Sequence, residues 1–464
     1  MIDPKTAWQP YKTTANNPWD MRKAGHLFRR AGFGASAAEL QAAVADGPEK
    51  TLDRILKGAA ESDDFTATSD FMATEKSMPA GTSTSRIAAW WLDRMLKTAH
   101  PLREKIALFW HNHFATSNAK VQNARLMLGQ YRLVHKHALG SFSDLLVEMG
   151  TDPAMLFRLD TVQSVKGKPN ENYARELMEL FSLGIGNYSE TDIREAAKAF
   201  TGYEIKDGKG TFNSRQHDDG VKKVMGKSGK FKGEDIAKIC LEQPACPRFI
   251  VRTLYAFLVS EAEMPAAEII DPLAEQYRSN GFDTGKLVAT ILRSNLFFSP
   301  ASYRAKIKSP VEFATGIVRG LEGRVGTLPL AESLADLGQV LFAPPSVKGW
   351  DGGPAWLNAG TLLFRNNLAL ALTSTEDTRF STRCDPAVLL TRHGKKSDAE
   401  VVEFLLGVFV QNDVPPESRA KLLDYLATAK TTKYPAYWAK EDVENHRLRA
   451  VAHLVLTLPE FELG

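Results

Sequence analysis

Pro169-Asn170-Glu171-Asn172-Tyr173-Ala174-Arg175-Glu176-Leu177-Met178-Glu179-Leu180 reads as an amphipathic helix near the middle of the chain. Asn170 follows Pro169 and stands where a helix cap is expected. At about 100° per residue, Tyr173, Ala174, Leu177, Met178, Leu180, Phe181 and Ile185 cover one continuous apolar face. Glu171, Arg175 and Ser182 fall together on one edge of that face. Glu176 falls near the opposite edge, and Glu179 points outward. Ionisable groups at the edge of a buried face are either paired or used in chemistry. Glu171 and Arg175 are i,i+4 partners, as are Arg175 and Glu179, so a clamp of arginine and carboxylates between helices is one outcome. In the other, one carboxylate reaches a site while its neighbour braces an adjacent helix. Helical spacing keeps Glu171 and Glu176 from sharing one metal ion.

The same periodicity recurs on both sides of this segment. Helices are expected over 21–30, 36–45, 86–96, 102–114, 119–138, 171–185 and 192–200. They continue over 247–260, 265–279, 285–292, 310–321, 330–341, 359–374, 399–411, 417–429 and 443–458. Ser36, Ser189 and the Ser309-Pro310 pair are start signals. The fold class is therefore mainly α, one large multi-helix domain over 1–464. It carries a small β-hairpin near 203–226, where Asp207-Gly208 separates two short alternating runs. Residues 202–233 around it hold eight Lys/Arg against four Asp/Glu, a basic hairpin with a solvated tip. Residues 58–81 are rich in Ser, Thr, Asp and Ala and read as a flexible surface loop. Residues 341–356, rich in Pro and Gly, carry Trp350 and Trp356 and read as an ordered loop.

With 464 residues, 44% hydrophobic and 24% charged, the chain has the composition of an ordinary globular protein with a large core. A formal charge of +3 gives no support to nucleic-acid or anionic-membrane binding. No stretch approaches the roughly 20 apolar residues of a membrane span. Cys240, Cys246 and Cys384 are too few for a disulfide framework and are expected as reduced, buried or half-buried thiols. The first twenty residues show no basic segment followed by an apolar one, so the cytoplasm is the default compartment.

Phe109-Trp110-His111-Asn112-His113-Phe114 holds a His-x-His pair. That spacing chelates on a strand, but on a helix the two rings point roughly 160° apart. Leu102, Ile106, Phe109 and His113 form the buried stripe, leaving His111 on another face. A lone inward histidine is most simply a satisfied core residue. His135-x-His137 has the same spacing and is taken as packing or surface. Gln216-His217-Asp218-Asp219-Gly220 could present ligands on a tight turn. Phosphate-loop, dinucleotide, zincin and nucleophile-elbow motifs are missing, and Lys227-Ser228-Gly229-Lys230 lacks the frame of a phosphate loop.

Taken in order, His26-Leu-Phe-Arg-Arg-Ala-Gly-Phe-Gly34, Phe109-Trp-His-Asn-His-Phe114, Asp152-Pro-Ala-Met-Leu156, Asn170-Glu-Asn-Tyr-Ala-Arg-Glu-Leu177 and Ala199-Phe-Thr-Gly202 resemble the bacterial family called domain of unknown function 1800. His217-Asp218 and Pro344-Pro-Ser-Val-Lys-Gly-Trp-Asp-Gly-Gly353 extend the likeness over nearly the whole chain. Leu159-Asp160-Thr161 departs from the Leu-Asp-Asn of relatives. The family brings no established reaction. Its members in many cases resemble exported proteins and are often encoded beside a sulfatase-like partner. The resemblance marks His111, His113, Glu171, Arg175, Glu176, His217 and Asp218 as the polar signatures. The leading expectation for these residues is an enzyme with a buried His/carboxylate site, with metal-dependent hydrolysis as the candidate reaction. In that reading His111, His113, Glu176, His217 and Asp218 would hold a divalent ion such as Zn, Mn or Fe. Glu171 and Arg175 would be catalytic, with Glu171 or Glu176 as general base. The alternative is a non-catalytic accessory protein whose polar cluster is structural. It would dock a sulfatase-like partner through the loop over 347–356.

Overall fold

Serine caps set many of the helix starts. Ser36, Ser189, Ser309 and Ser397 each accept the amide three residues on, and the acidic residue at that position bonds back to the cap amide. Each such cap stabilises its helix by about 1 kcal/mol. The computed structural model describes residues 3–74, 76–79, 81–375, 377–381, 383–431 and 440–464. Among them lie 24 α-helices, and the strands form two antiparallel hairpins. One large hydrophobic cluster extends from Ala7 to Phe461, with a small second one at Ala24, Ala35, Leu40 and Ala43, as expected for a mainly α architecture. No described helix is long and apolar enough to cross a membrane. Cys240, Cys246 and Cys384 are buried thiols.

At the centre runs the Pro101–His113 helix, in which every residue from Glu104 to His111 is buried. A helix covered all round must satisfy its charges internally. Glu104 accepts from Trp91 Nε1 at 2.9 Å, Arg94 Nε at 3.0 Å and Tyr131 OH at 2.9 Å. Lys105 points the other way. Its ammonium donates to Arg29 O at 3.2 Å and Gly32 O at 3.0 Å, carbonyls that close the Met21–Ala31 helix, and pairs with Glu312 of the Pro310–Gly320 helix.

The central stretch around Arg175 differs from a regular helix. Asn170 Oδ1 accepts the Asn172 amide at 2.9 Å, and α-helix runs only over Asn172–Glu176. Leu177–Ser182 continues as π-helix, with Leu183 N bonded to Met178 O at 3.0 Å. The wider turn rotates everything beyond Leu177 away from the 100° wheel. The helical segment ends at Ser182 and the chain turns at Gly184 (φ 81°), so Ile185, expected on the buried face, is 79% exposed.

Other differences are local. The helix expected over 119–138 is broken at Gln122, whose φ is 50°, into Asn118–Val121 and Ala124–His137. The stretch 58–81, expected as a loop, contains the helix Asp63–Met72, capped by Ser62 and held by Trp90 Nε1 donating to Ser69 O at 3.0 Å. Residues 75 and 80 of that stretch lie outside the described residues. Phe142–Met149, Pro153–Arg158 and Gly233–Glu242 are further helices whose short runs did not show as periodic. The expected hairpin pairs Tyr203–Lys206 with Lys209–Phe212. Its turn uses positive φ at Asp207 (52°) and Gly208 (71°), as a tight hairpin requires. A second hairpin, Lys222–Val224 with Lys227–Gly229, follows within the basic segment.

Breaking a buried ion pair strands one charge, whereas removing both partners does not. Lys105→Met or Glu312→Leu alone is expected to lower stability in denaturant unfolding by about 3–5 kcal/mol. The double variant should recover most of that loss. A double variant as unstable as the sum of the singles would show that the pair does not couple these helices.

Candidate functional site

A cleft of about 400 Å3 opens beside the C-terminal end of the Pro101–His113 helix. The Ala245–Leu258 helix, the segment around Lys306 and the tryptophan-bearing loop complete its walls. The loop is fastened by one residue of the helix. Asn112 Oδ1 accepts Trp350 N at 2.8 Å, and its Nδ2 donates to Trp350 O at 3.3 Å. Gly349, at φ 89°, passes so close that an added Cβ would sit 2.2 Å from Asn112 Oδ1. No other residue fits there. Trp350 and Trp356 are only 7% and 8% exposed, so the loop turns its rings inward.

His111 and His113 diverge as their helical spacing demands. His111 is buried and its Nε2 accepts the Phe342 amide at 3.1 Å, with Trp91 and Trp350 against the ring. Phe342 adopts φ 64° to make that bond, a conformation costly for a bulky residue. Burial pushes the His111 imidazole down to about 3. His113 lies in the cleft wall, where its Nε2–H donates to Phe181 O at 2.9 Å. A carbonyl only accepts, so this bond fixes the tautomer and leaves Nδ1 as a bare acceptor. Burial pushes His113 down to about 4, so the ring is neutral.

Two further groups in the cleft carry charge chemistry. Lys306 donates to Phe257 O at 2.8 Å and stands over the Phe257 ring. Burial lowers its ammonium to about 8, opposed by the nearby Glu312 and Glu261. Glu261 accepts the Ile307 amide at 2.8 Å, holding the Lys306 segment in place.

The remaining residues marked by the sequence lie elsewhere. Arg175 makes a two-pronged bond to Glu190, at 2.9 and 2.8 Å, and a 3.3 Å bond to Glu171. This is the clamp between helices, set at a half-exposed edge where such pairs contribute about 0–1 kcal/mol. Glu176 is half-buried and makes no hydrogen bond among the described residues; burial, then Glu179, raises its carboxyl. His217 is buried with Nδ1–H donating to Thr201 O at 3.0 Å, and the Asp218 amide donates to Thr201 Oγ1 at 2.7 Å. The fully buried Lys222 donates to Asp218 O at 2.5 Å, which ties the second hairpin down. None of Glu171, Arg175, Glu176, His217 and Asp218 lines the cleft. Among the described residues no three His, Cys, Asp or Glu side chains are grouped to hold a metal ion.

Asn112, Glu261, Lys306 and Glu312 belong to the cleft and were not singled out from sequence. Asn112 sits inside a motif where the flanking histidines draw attention. Glu312 reads as the acidic member of a capping box, which accounts for only one of its oxygens.

The cleft and its helical frame define a pocket-bearing α protein in which two of the signature motifs, 109–114 and 344–353, meet. The family model described as Protein of unknown function (DUF1800) matches residues 26–463, and the protein belongs to that family. No curated protein and no solved structure matches the chain.

His111 behind the cleft wall and His113 within it both stay neutral when folded, whereas the unfolded chain protonates them near 6.5. Their folded values are depressed, so this stability is complete above about pH 6.5 and is lost as pH falls toward 4 and then 3. The denaturation midpoint is expected to drop between pH 7 and pH 5. His111→Gln should shrink that drop, and a drop as large as that of the unsubstituted protein in both His111→Gln and His113→Gln would exclude these rings as its source.

Proposed function

We propose that the protein is an enzyme working by acid–base chemistry in the tryptophan-walled cleft, with hydrolysis as its reaction class. One observation carries this: Lys306 and His113, two groups with strongly shifted protonation, line the same 400 Å3 cleft. Shifted groups gathered in a concave, partly apolar pocket are what catalysis requires. A base is most effective with a pKa near the working pH, and Lys306, at about 8, is far better placed than His113, at about 4. Lys306 is therefore the proton-transfer group. The His113 Nδ1 lone pair accepts a hydrogen bond from the substrate and orients it. This assignment moves the general base from Glu171 or Glu176 to Lys306 and needs no mixed His/carboxylate metal set.

Screening chromogenic esters, glycosides and phosphate and sulfate esters should find a substrate whose kcat rises through a limb near pH 8. Lys306→Met should lower kcat by about 10²–10⁴, and His113→Gln should raise KM more than it lowers kcat. A substrate turned over equally by Lys306→Met would overturn the assignment.

A second reading, an accessory role beside a sulfatase-like protein, is favoured by the Ala359–Thr373 helix. Leu363, Phe364 and Leu370 stand out to solvent there, immediately after the tryptophan loop. Exposed apolar patches of this kind mark interaction surfaces. The tryptophans themselves face inward, so this helix rather than the loop would meet the partner. Purified sulfatase-like protein should then form a complex that Leu363→Asp abolishes; a complex indifferent to Leu363→Asp would remove this reading.

A further inference from the structure

The signature His26-Leu-Phe-Arg-Arg-Ala-Gly-Phe-Gly34 takes no part in the cleft, yet its two arginines line a second, smaller space. This cavity, of about 30 Å3, shares Lys306, Ile307 and Glu312 with the cleft wall. Arg29, Arg30, Lys306 and Lys308 all line it, with Glu312 as the one acidic side chain in the lining. That carboxylate is already engaged, one oxygen by Lys105 and the other by the Ser309 amide.

Arg30 is 2% exposed. Its Nη2 donates to Ser302 O at 2.8 Å and Val259 O at 3.2 Å, but Nε and Nη1 have no partner. Arg29 bonds Gln411 through Nη1 and likewise leaves Nε and Nη2 shielded and unpartnered. Lys308 donates to Phe461 O at 2.5 Å and stands 3.5 Å from the centre of the Phe461 ring. Among the described residues none of these four cations has a carboxylate within the 4.0 Å of an ion pair.

Buried charge is tolerated when it is paired. A water molecule in the cavity would satisfy the free N–H groups but leave the charge uncompensated. Lysines can answer burial by losing a proton, and Lys308 is pushed well below its ordinary value. Arginine has no such escape: burial brings Arg30 only to about 9 and Arg29 to about 10, both still charged at pH 7. The volume admits one or two particles of water size, which selects a monatomic ion over a phosphate or a carboxylate ligand.

We propose that this cavity is a binding site for one small halide-class anion, chloride in the cell, held by Arg29, Arg30 and Lys308. An anion there completes the hydrogen bonding of the two guanidinium groups and neutralises the excess charge of the cavity.

The test is thermal unfolding of the full chain in sodium chloride or bromide, with ionic strength held constant by sodium gluconate, an anion too large for the cavity. Chloride and bromide are expected to raise Tm saturably, by about 2 °C or more, while gluconate alone does not. Arg30→Met and Lys308→Met should each lose the saturable component. A crystal grown in bromide should show an anomalous peak inside the cavity, a readout that needs no variant to fold. A Tm indifferent to the choice of anion, an undiminished response in Lys308→Met, or an ordered water where bromide should scatter would each overturn the assignment.

Discussion

The ammonium of Lys105 holds three helices in register. It sits on the buried Glu104–His111 stretch of the Pro101–His113 helix, caps the closing carbonyls of the Met21–Ala31 helix and pairs with Glu312 on the Pro310–Gly320 helix. All three of its protons are used, so no solvent is needed to satisfy it. A pair so placed is costly to desolvate, and it is retained only if its geometry is enforced from several sides. Here the Ser309 amide fixes one oxygen of Glu312, which fixes the direction of the other. The negative charge is thereby delivered to the wall that the cleft and the cationic cavity share. Glu312 is held far below the usual carboxylate range despite burial, because Lys105 and Lys306 outweigh the desolvation.

The same helix explains the Trp110-His111-Asn112-His113 signature without a metal. Successive residues on a helix point about 100° apart, so four polar side chains in a row must reach four different neighbours. Trp110 Nε1 donates to Ala138 O, His111 accepts from Phe342, Asn112 clasps Trp350, and His113 donates to Phe181 O. The motif is a hub from which the surrounding elements are hung. The π-turn at Leu177–Ser182 is the counterpart of one spoke, since it presents the Phe181 carbonyl to His113. Irregular helix of this kind gathers where a site is being shaped.

What could be read from sequence was what is local. Apolar periodicity places most long helices, Asp207-Gly208 places the hairpin turn, and the i,i+4 rule places Glu171 beside Arg175. The divergence of His111 and His113 also followed from helical spacing alone. The partners that make the cleft are separated by hundreds of residues: Asn112 meets Trp350 and Lys105 meets Glu312 across more than 200 positions. No local pattern distinguishes a lysine that will be buried from one that will be solvated. Lys306 and Lys308 therefore look like ordinary residues ahead of a capping box. The π-turn was illegible for a related reason, because a 100° wheel assumes the regularity that it breaks.

Lys306 is where the cleft and the cavity meet physically. Its ammonium feels burial, which favours the neutral amine, and Glu312 and Glu261, which favour the charged form; burial prevails and the balance falls near pH 8. Arg30 and Lys105 push in the same direction as burial, so the state of Lys306 depends on how much positive charge its neighbours leave uncompensated. An anion beside Arg29 and Arg30 would cancel part of that repulsion and return Lys306 toward its ordinary value. The protonation of a cleft residue is thus tied, by electrostatics across one wall, to whether the cavity behind it is filled. No moving part is required for that link. It follows from placing the Glu312 carboxylate and the Lys306 ammonium on a boundary that both spaces share.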